Sequence, residues 1–499
     1  MMALHIYNSL SHRKELFEPV EPGHVRMYVC GVTVYDECHV GHARSAIVFD
    51  VIYRYLRHMG LKVTYVRNFT DIDDKILDRA RRDGLAWDEI SKKYIAAFRR
   101  DMESLGVQPP TLEPLATEHI PEMIEMIRAL EEKGVAYAVD GSVYFSVSSF
   151  PGYGKLSRRD RDQMMAGARV EPDERKRDPL DFALWKRSRP GEPAWESPWG
   201  PGRPGWHIEC SCMSRKYLGQ PLDIHGGGLD LVFPHHENEI AQSEALTGKP
   251  LAKFWIHNGP LTREKVKMSK SLGNILSIRE ALERYHPEEL RLFFLMTHYR
   301  KPLDFTDSGM AEAQTALDRL YRTLERIEKL GVVQEPKERL PDQEATAADA
   351  ELPFPLKFFR ERFQEAMEDD FNTPRALAGL FELNRSLNQW LDHPSFQDGP
   401  RVAGLLYAAR ACYQLASNCL GILCSSPAEF QAQKEDLLLG RLGLSRDRIE
   451  SLLRKRFQAR MERNFAEADR IREELAQRGI QLLDSPQGTT WKIKPGAFC

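Results

Sequence analysis

The stretch Val25–Asn68, VRMYVCGVTVYDECHVGHARSAIVFDVIYRYLRHMGLKVTYVRN, decides the fold. Val25 to Cys30 is a short apolar run of strand type, followed by a glycine-containing turn and by His39-Val40-Gly41-His42. From Ala43 the period lengthens. Ile47, Val48, Val51, Ile52, Tyr55 and Leu56 recur at three- and four-residue spacings, the stripe of a helix, and Gly60 is its stop. Lys62 to Asn68 then alternates as a strand. Strand, glycine turn, helix, strand is a βαβ unit, which implies a parallel sheet with its ligand at the carboxyl ends of the strands. The two histidines fall at the start of the helix, where free N–H groups and the helix dipole favour phosphate.

Working outward, a second informative stretch is Asp223–Glu239, DIHGGGLDLVFPHHENE. The glycine triplet Gly226-Gly227-Gly228 lets backbone approach a flat ligand closely, because no Cβ intervenes. Pro234 fits the first turn of a helix, on which His235 and Glu239 would share one face. An imidazole and a carboxylate so placed can hold one divalent ion, and Cys30 and Cys210 could complete a tetrahedral site. Free cysteine is ordinarily a small buried hydrophobe. That reading weakens here because both cysteines fall at predicted strand ends in the layer of His235 and Glu239. Spacing leaves rivals open: Cys38; Cys212, which would share the face of Cys210 on a strand; and the imidazoles of His207, His225 and His236. The cysteines at 412, 419, 424 and 499 read as core or incidental.

Lys267-Met268-Ser269-Lys270-Ser271, followed by Leu272-Gly273-Asn274, is a polar loop with two ammonium groups, and Ser277 with Glu280 caps the next helix. Alone it is a solvated loop, and H-x-G-H alone is a commonplace pair. Together, two imidazoles and two ammonium groups suit a triphosphate and the charge that develops during attack at its α-phosphorus.

The remaining chain, 499 residues with 42% hydrophobic and 29% charged content, is that of an ordinary globular protein of several domains. No apolar run is long enough to span a membrane, and the N-terminus lacks a signal-peptide core. Eight cysteines are too sparse for a disulfide scaffold. The net charge of −3 excludes a globally basic nucleic-acid binder, but not a local basic face. Residues 1–114 and 205–265 read as two halves of one α/β nucleotide fold, and 115–204, with a hairpin at Asp140-Gly141, as an insertion between them. Residues 266–308 carry the lysine loop, and 309–430 form a helical bundle in which Thr373 caps a helix begun by Pro374. The acidic stretch Gln334–Pro353 reads as a loose loop. Residues 431–499 form a small mixed domain. From Arg441 onward it carries 13 Lys/Arg against 8 Asp/Glu, a balance of +5, and its aromatic residues suit RNA contact.

Six ordered motifs give a sharper reading: YVCGVTVYDECHVGHARS (Tyr28–Ser45), NFTDIDDKI (Asn68–Ile76), GWHIECS (Gly205–Ser211), DIHGGGLDLVFPHHENEIAQSEA (Asp223–Ala245), KMSKSLGN (Lys267–Asn274) and DDFNTPRAL (Asp369–Leu377). By these the chain resembles the cysteinyl-tRNA synthetases, a class I aminoacyl-tRNA synthetase family, over essentially its whole length. The family's HIGH box reads HVGH here, and Cys212 stands where a smaller non-thiol residue is expected. The resemblance implies a Rossmann-like catalytic domain with an insertion, then a helical bundle and a small α/β C-terminal domain. It implies one zinc on Cys30, Cys210, His235 and Glu239, and ATP with Mg2+ at His39, Gly41, His42, Lys267 and Lys270. Gly228 and Asp230 would lie near the ribose, and Thr70 and Trp206 near L-cysteine. It further implies tRNA(Cys) as partner, a cytoplasmic monomer, and substrate thiolate bound directly to zinc. A pocket built on fit alone separates such close analogues by only about 1–3 kcal/mol. A metal separates them chemically, since a thiol deprotonates on it and is a soft ligand.

The nearest rival is a ligase joining activated cysteine to an amino sugar, which would have no use for an anticodon-reading tail. A non-catalytic zinc and RNA-binding paralogue is opposed by the paired HVGH and KMSKS motifs. A zinc hydrolase leaves the lysine loop unexplained.

Overall fold

The computed structural model describes residues 3–167, 174–268, 273–330, 356–393, 400–485 and 488–494; the acidic stretch 334–353 and Cys499 lie outside them. The chain divides into two compact units, residues 1–278 with 287–424, and residues 279–286 with 425–499.

In the first unit a short antiparallel pair, β1 (His5–Asn8) and β2 (Arg13–Leu16), precedes the βαβ unit expected from sequence. This consists of β3 (His24–Val29), α1 (Val40–His58) and β4 (Lys62–Arg67). Ile47, Val48, Val51, Ile52, Tyr55 and Leu56 are all buried, so the stripe read from spacing is the face α1 turns inward. Gly60 follows the helix with φ +83°, a left-handed conformation that glycine adopts without strain. Helices α2 (Asp74–Asp83) and α3 (Trp87–Ser104) come next, then α4 (Ile120–Glu132).

The insertion forms its own antiparallel sheet from β5 (Ala136–Val139), β6 (Ser142–Phe145), β7 (Phe182–Arg187) and β8 (Gly202–Pro204), with α5 (Arg161–Gly167) between β6 and β7. Asp140 and Gly141 both have positive φ (47° and 79°), the requirement of a two-residue hairpin whose twist matches its strands. The main sheet resumes through α6 (Trp206–Leu218), β9 (Leu222–Gly228), α7 (Glu237–Thr247) and β10 (Ala252–Asn258). Its order is β10-β9-β3-β4, all parallel, with Val29 and Ile256 both in register with Gly226. The carboxyl ends of all four strands therefore form one edge.

Two local expectations are corrected, and a third holds. Cys210 lies within α6, not at a strand end, because the segment from Trp206 to Leu218 is helical and buries Cys210, Ser211, Cys212 and Met213 together. The expected turn at Pro234 is present: Phe233 takes extended dihedrals (φ −139°, ψ 131°) just before it, helical backbone then runs through His235 and His236 into α7, and His235 and Glu239 share one face. In the helical region, the helix Thr373–Leu391 is capped by Asn372, whose side chain accepts from the Arg375 N–H, while the Thr373 hydroxyl donates to the Leu295 carbonyl at 2.8 Å.

That region comprises helices Asp307–Lys329, Leu356–Glu368, Thr373–Leu391 and Pro400–Leu420. The second unit has helices Pro427–Arg441, Arg446–Met461 and Phe465–Gln477 and an antiparallel pair, Ile480–Ser485 with Gly488–Ile493. Its own core includes Leu439, Ile449, Leu452, Ile471, Leu475 and Ile480.

Candidate active site

Three stretches of chain deliver the four candidate metal ligands to one point. Cys30 follows the end of β3, its N–H donating to the Gly226 carbonyl at 3.1 Å. Cys210 is on α6, His235 precedes α7, and Glu239 is in the first turn of α7. One donor atom from each lies within 4.8 Å of every other, and Cys210, His235 and Glu239 are buried. The Cys30 thiol reaches Glu239 Oε1 at 3.2 Å, and His235 Nε2 lies 3.0 Å from the same oxygen.

The surroundings orient these groups. His225 Nε2 lies 2.7 Å from Glu239 Oε2, and His235 Nδ1 lies 2.9 Å from His207 Nδ1. Burial and the facing His235 hold His207 well below the ordinary imidazole range, so neutral His207 accepts from the His235 Nδ1–H. The Nε2 of His235 is thereby directed at the cluster, the arrangement by which a partner hydrogen bond fixes the tautomer of a ligating histidine.

Charge is unevenly resolved without a cation. Burial alone would push the Cys210 thiol up, but the hydrogen bond from Cys30 and the facing His235 bring it down to about 6. Burial likewise disfavours a charged Glu239, yet His225 and His235 hold its carboxyl well below the usual range. Burial opposes protonation of His235, and the Glu239 and Cys210 charges overcome it, raising the imidazole to about 10. Two buried anions thus face a single positive charge, the proton on His235, and one negative charge is left over. Two cysteine sulfurs, an imidazole and a carboxylate are the donor set of a divalent zinc-type site, and a dication in place of the His235 proton would balance the remaining charge.

Of the rivals, Cys212 lies two residues along a helix from Cys210 and so points elsewhere; burial pushes its thiol up to about 12. Cys38 is likewise apart from the cluster, with its thiol pushed up to about 12 by burial. His225 and His236 form, with Cys30, a second grouping on the same spot, and His236 Nδ1 meets His257 Nε2 at 2.8 Å.

The nucleotide-binding candidates sit along the same sheet edge. His39 is the cap of α1: its Nδ1 accepts from the Gly41 N–H at 3.0 Å, its own N–H donates to His42 Nδ1 at 3.2 Å, and the two rings stack at 3.9 Å. With Nδ1 accepting in both, each neutral ring carries its proton on Nε2, a donor suited to phosphate oxygen. The first turn of α1 has no acidic residue to compete for that end of the dipole. The segment after the lysine loop is laced to this motif, with Val40 N–H donating to Leu276 O at 3.0 Å and Ile278 N–H to Cys38 O at 2.9 Å. The Met268 methyl would stand 3.7 Å from a Cβ placed at Gly41. Lys270 lies outside the described residues; Lys267 ends the short strand Val266–Lys267, and its side chain is not described.

The glycine triplet is filled by protein. A Cβ at Gly226 would lie 2.5 Å from Phe49 Cζ, and one at Gly227 would lie 2.9 Å from Leu231 Cδ1. These two glycines thus admit α1 and the turn after β9. Only Gly228, beside the exposed Asp230, stays near the surface. Trp206 stacks on the His235 ring at 4.2 Å, and Thr70 donates its hydroxyl to Glu209 Oε2 at 2.8 Å, beside Cys210 in sequence.

Sequence reasoning missed His257, Glu209 and Asn68, whose Oδ1 accepts from the Gly31 N–H at 2.9 Å. All three lie within quoted or strand-like segments, but no periodicity separates them from neighbours.

Comparison with known proteins places this geometry. Mycobacterium tuberculosis methionyl-tRNA synthetase, solved with methionyl-adenylate, superposes with a TM-score of 0.58 at 17% identity, covering 85% of this chain and 94% of that one. The LeuRS–tRNA–LeuAMS ternary complex of Agrobacterium radiobacter K84 matches with a TM-score of 0.58 at 12% identity, covering 84% and 86%. The fold is that of a class I aminoacyl-tRNA synthetase. Family models match as the class I (C) tRNA synthetase catalytic domain (residues 16–315), the DALR domain (362–424) and the cysteinyl-tRNA ligase anticodon binding domain (445–491). The cysteine–tRNA ligase of Geobacter metallireducens is 55% identical over 493 residues, 99% of this chain and 100% of that protein, and that of Syntrophobacter fumaroxidans 53% over 494, with the same coverage. The chain belongs to the cysteine–tRNA ligase family.

Proposed function

We propose that this enzyme attaches L-cysteine to tRNA(Cys) in two steps through a cysteinyl adenylate, choosing cysteine by means of a zinc ion on Cys30, Cys210, His235 and Glu239. One observation carries the reading: these four donors, from three separate stretches of chain, converge within 4.8 Å at the carboxyl edge of the parallel sheet. Zinc bound there would supply a soft Lewis acid that distinguishes sulfur from oxygen.

The chain's own groups do the rest. His39 and His42, with the backbone at Gly41, hold the ATP phosphates at the start of α1, and Lys267 and Lys270 bring ammonium charge to them as Mg2+ accompanies the nucleotide. Gly228 and Asp230 receive the ribose. Thr70 and Trp206 hold the amino acid so that its carboxylate faces the α-phosphorus. Attack there releases pyrophosphate, and the terminal ribose hydroxyl of tRNA then displaces AMP from the adenylate.

In the same reading, residues 1–114 and 205–265 form the catalytic fold, 115–204 the connective insertion, and 266–308 the segment carrying the KMSKS loop. Residues 309–430 and 431–499 meet the tRNA stem and anticodon side, and the enzyme works as a cytoplasmic monomer. A ligase using an amino sugar is disfavoured because the match to an anticodon binding domain at 445–491 gives it no purpose. The test is metal content and cysteine-dependent ATP–pyrophosphate exchange in wild type and Cys210→Ser, followed by charging of tRNA(Cys). A metal-free enzyme that still prefers cysteine to serine refutes the zinc reading, and exchange without charging refutes the tRNA reading.

A further inference from the structure

Helix α7 is held from a second direction, by the insertion. Glu237 is fully buried, and its carboxylate accepts the N–H groups of Gly154 (2.9 Å), Leu156 (3.3 Å) and Ser157 (2.8 Å). The Tyr153 hydroxyl donates to Asn238 Oδ1 at 2.6 Å, and Lys155 pairs with Glu244. The Arg159 guanidinium lies 5.0 Å from the Phe233 ring centre. Residues 153–159 therefore grip positions 233, 237, 238 and 244, on both sides in sequence of His235 and Glu239.

We infer that Glu237 is a positioning residue for the metal centre, its carboxylate fastening the insertion to the start of α7 so that His235 and Glu239 are presented at a fixed separation; this rests on the reading that those residues hold zinc. Only an acceptor with two oxygens can receive three converging backbone donors, and hydrogen bonds to an ionised acceptor are the stronger kind. A glutamine would turn an N–H2 toward one of those N–H groups. The start of α7 would then loosen, and with it two of the four ligands.

The test uses full-length enzyme as wild type, Glu237→Gln and Tyr153→Phe. Zinc affinity is measured by competition with a chelating dye, and KM for cysteine and for ATP by pyrophosphate exchange. Glu237→Gln is expected to weaken zinc binding roughly 10- to 100-fold, the range for groups that support metal ligands. KM for cysteine rises in step, KM for ATP does not change, and excess zinc restores exchange; Tyr153→Phe shifts the same quantities less. The inference is overturned if wild type binds zinc and both variants match its affinity. It is also overturned if Glu237→Gln fails to fold while Tyr153→Phe equals wild type. A wild type that binds no zinc defeats the metal reading itself, a distinct result.

Discussion

Replacing His225 by phenylalanine isolates one hydrogen bond to a metal ligand. His225 is fully buried, its Nε2 lies 2.7 Å from Glu239 Oε2, and its Nδ1 has no hydrogen-bond partner among the described residues. The ring stacks on Trp255 at 4.4 Å, a contact that phenylalanine preserves. The substitution thus removes a donor to a buried carboxylate while nearly conserving shape. A hydrogen bond to a charged group contributes about 1.5–3 kcal/mol. Loss of a group orienting a metal ligand costs about 10- to 100-fold in affinity, or about 1.4–2.8 kcal/mol. The two routes agree. His225→Phe is therefore expected to weaken zinc binding by that factor in a chelator competition, and to lower discrimination against serine in pyrophosphate exchange at limiting zinc. His225→Gln, whose amide can still donate, is expected to recover part of the loss. A His225→Phe enzyme with zinc affinity within twofold of wild type would refute the argument that Glu239 depends on this partner.

Other perturbations test separate parts of the structure. Cys210→Ser is expected to abolish stoichiometric zinc while Cys212→Ser leaves zinc content and charging unchanged, since only Cys210 belongs to the four-donor cluster; metal analysis of the two proteins decides it. Gly226→Ala should lower stability by about 1–3 kcal/mol, as overpacking does, because its Cβ would lie 2.5 Å from Phe49 Cζ. Phe49→Leu in the same chain should return part of that in a denaturant titration. Burial lowers His257 from 6.5 to about 3, so the folded protein binds fewer protons than the unfolded chain between those values. Its contribution to stability is complete above pH 6.5 and falls as the pH drops toward 3. His257→Gln should flatten the decline of Tm between pH 6.5 and 4.5, and an unchanged slope would count against it.

What the sequence determined by itself was whatever local periodicity and ordered motifs can encode. The stripe from Ile47 to Leu56, the turn at Asp140-Gly141 and the βαβ unit from Val25 to Asn68 are local, because each depends on residues a few positions apart. His235 and Glu239 belong to the same class, being four residues apart with a 3.0 Å contact between them. Tertiary structure decided the rest. Cys30 and Cys210 are 180 positions apart, and only the parallel pairing of β3 with β9 and the packing of α6 set which thiols meet which imidazole. Spacing had left Cys212, His207 and His225 open, and read Cys210 on a strand, because a short buried apolar segment has no period that separates strand from helix. The glycine triplet followed the same rule. Its composition suggested a shelf for a ligand, whereas Phe49 and Leu231, residues distant in sequence or beyond a turn, occupy the space at Gly226 and Gly227. Identity of neighbours across the sheet is a property of packing, and packing is settled only when the whole chain has folded.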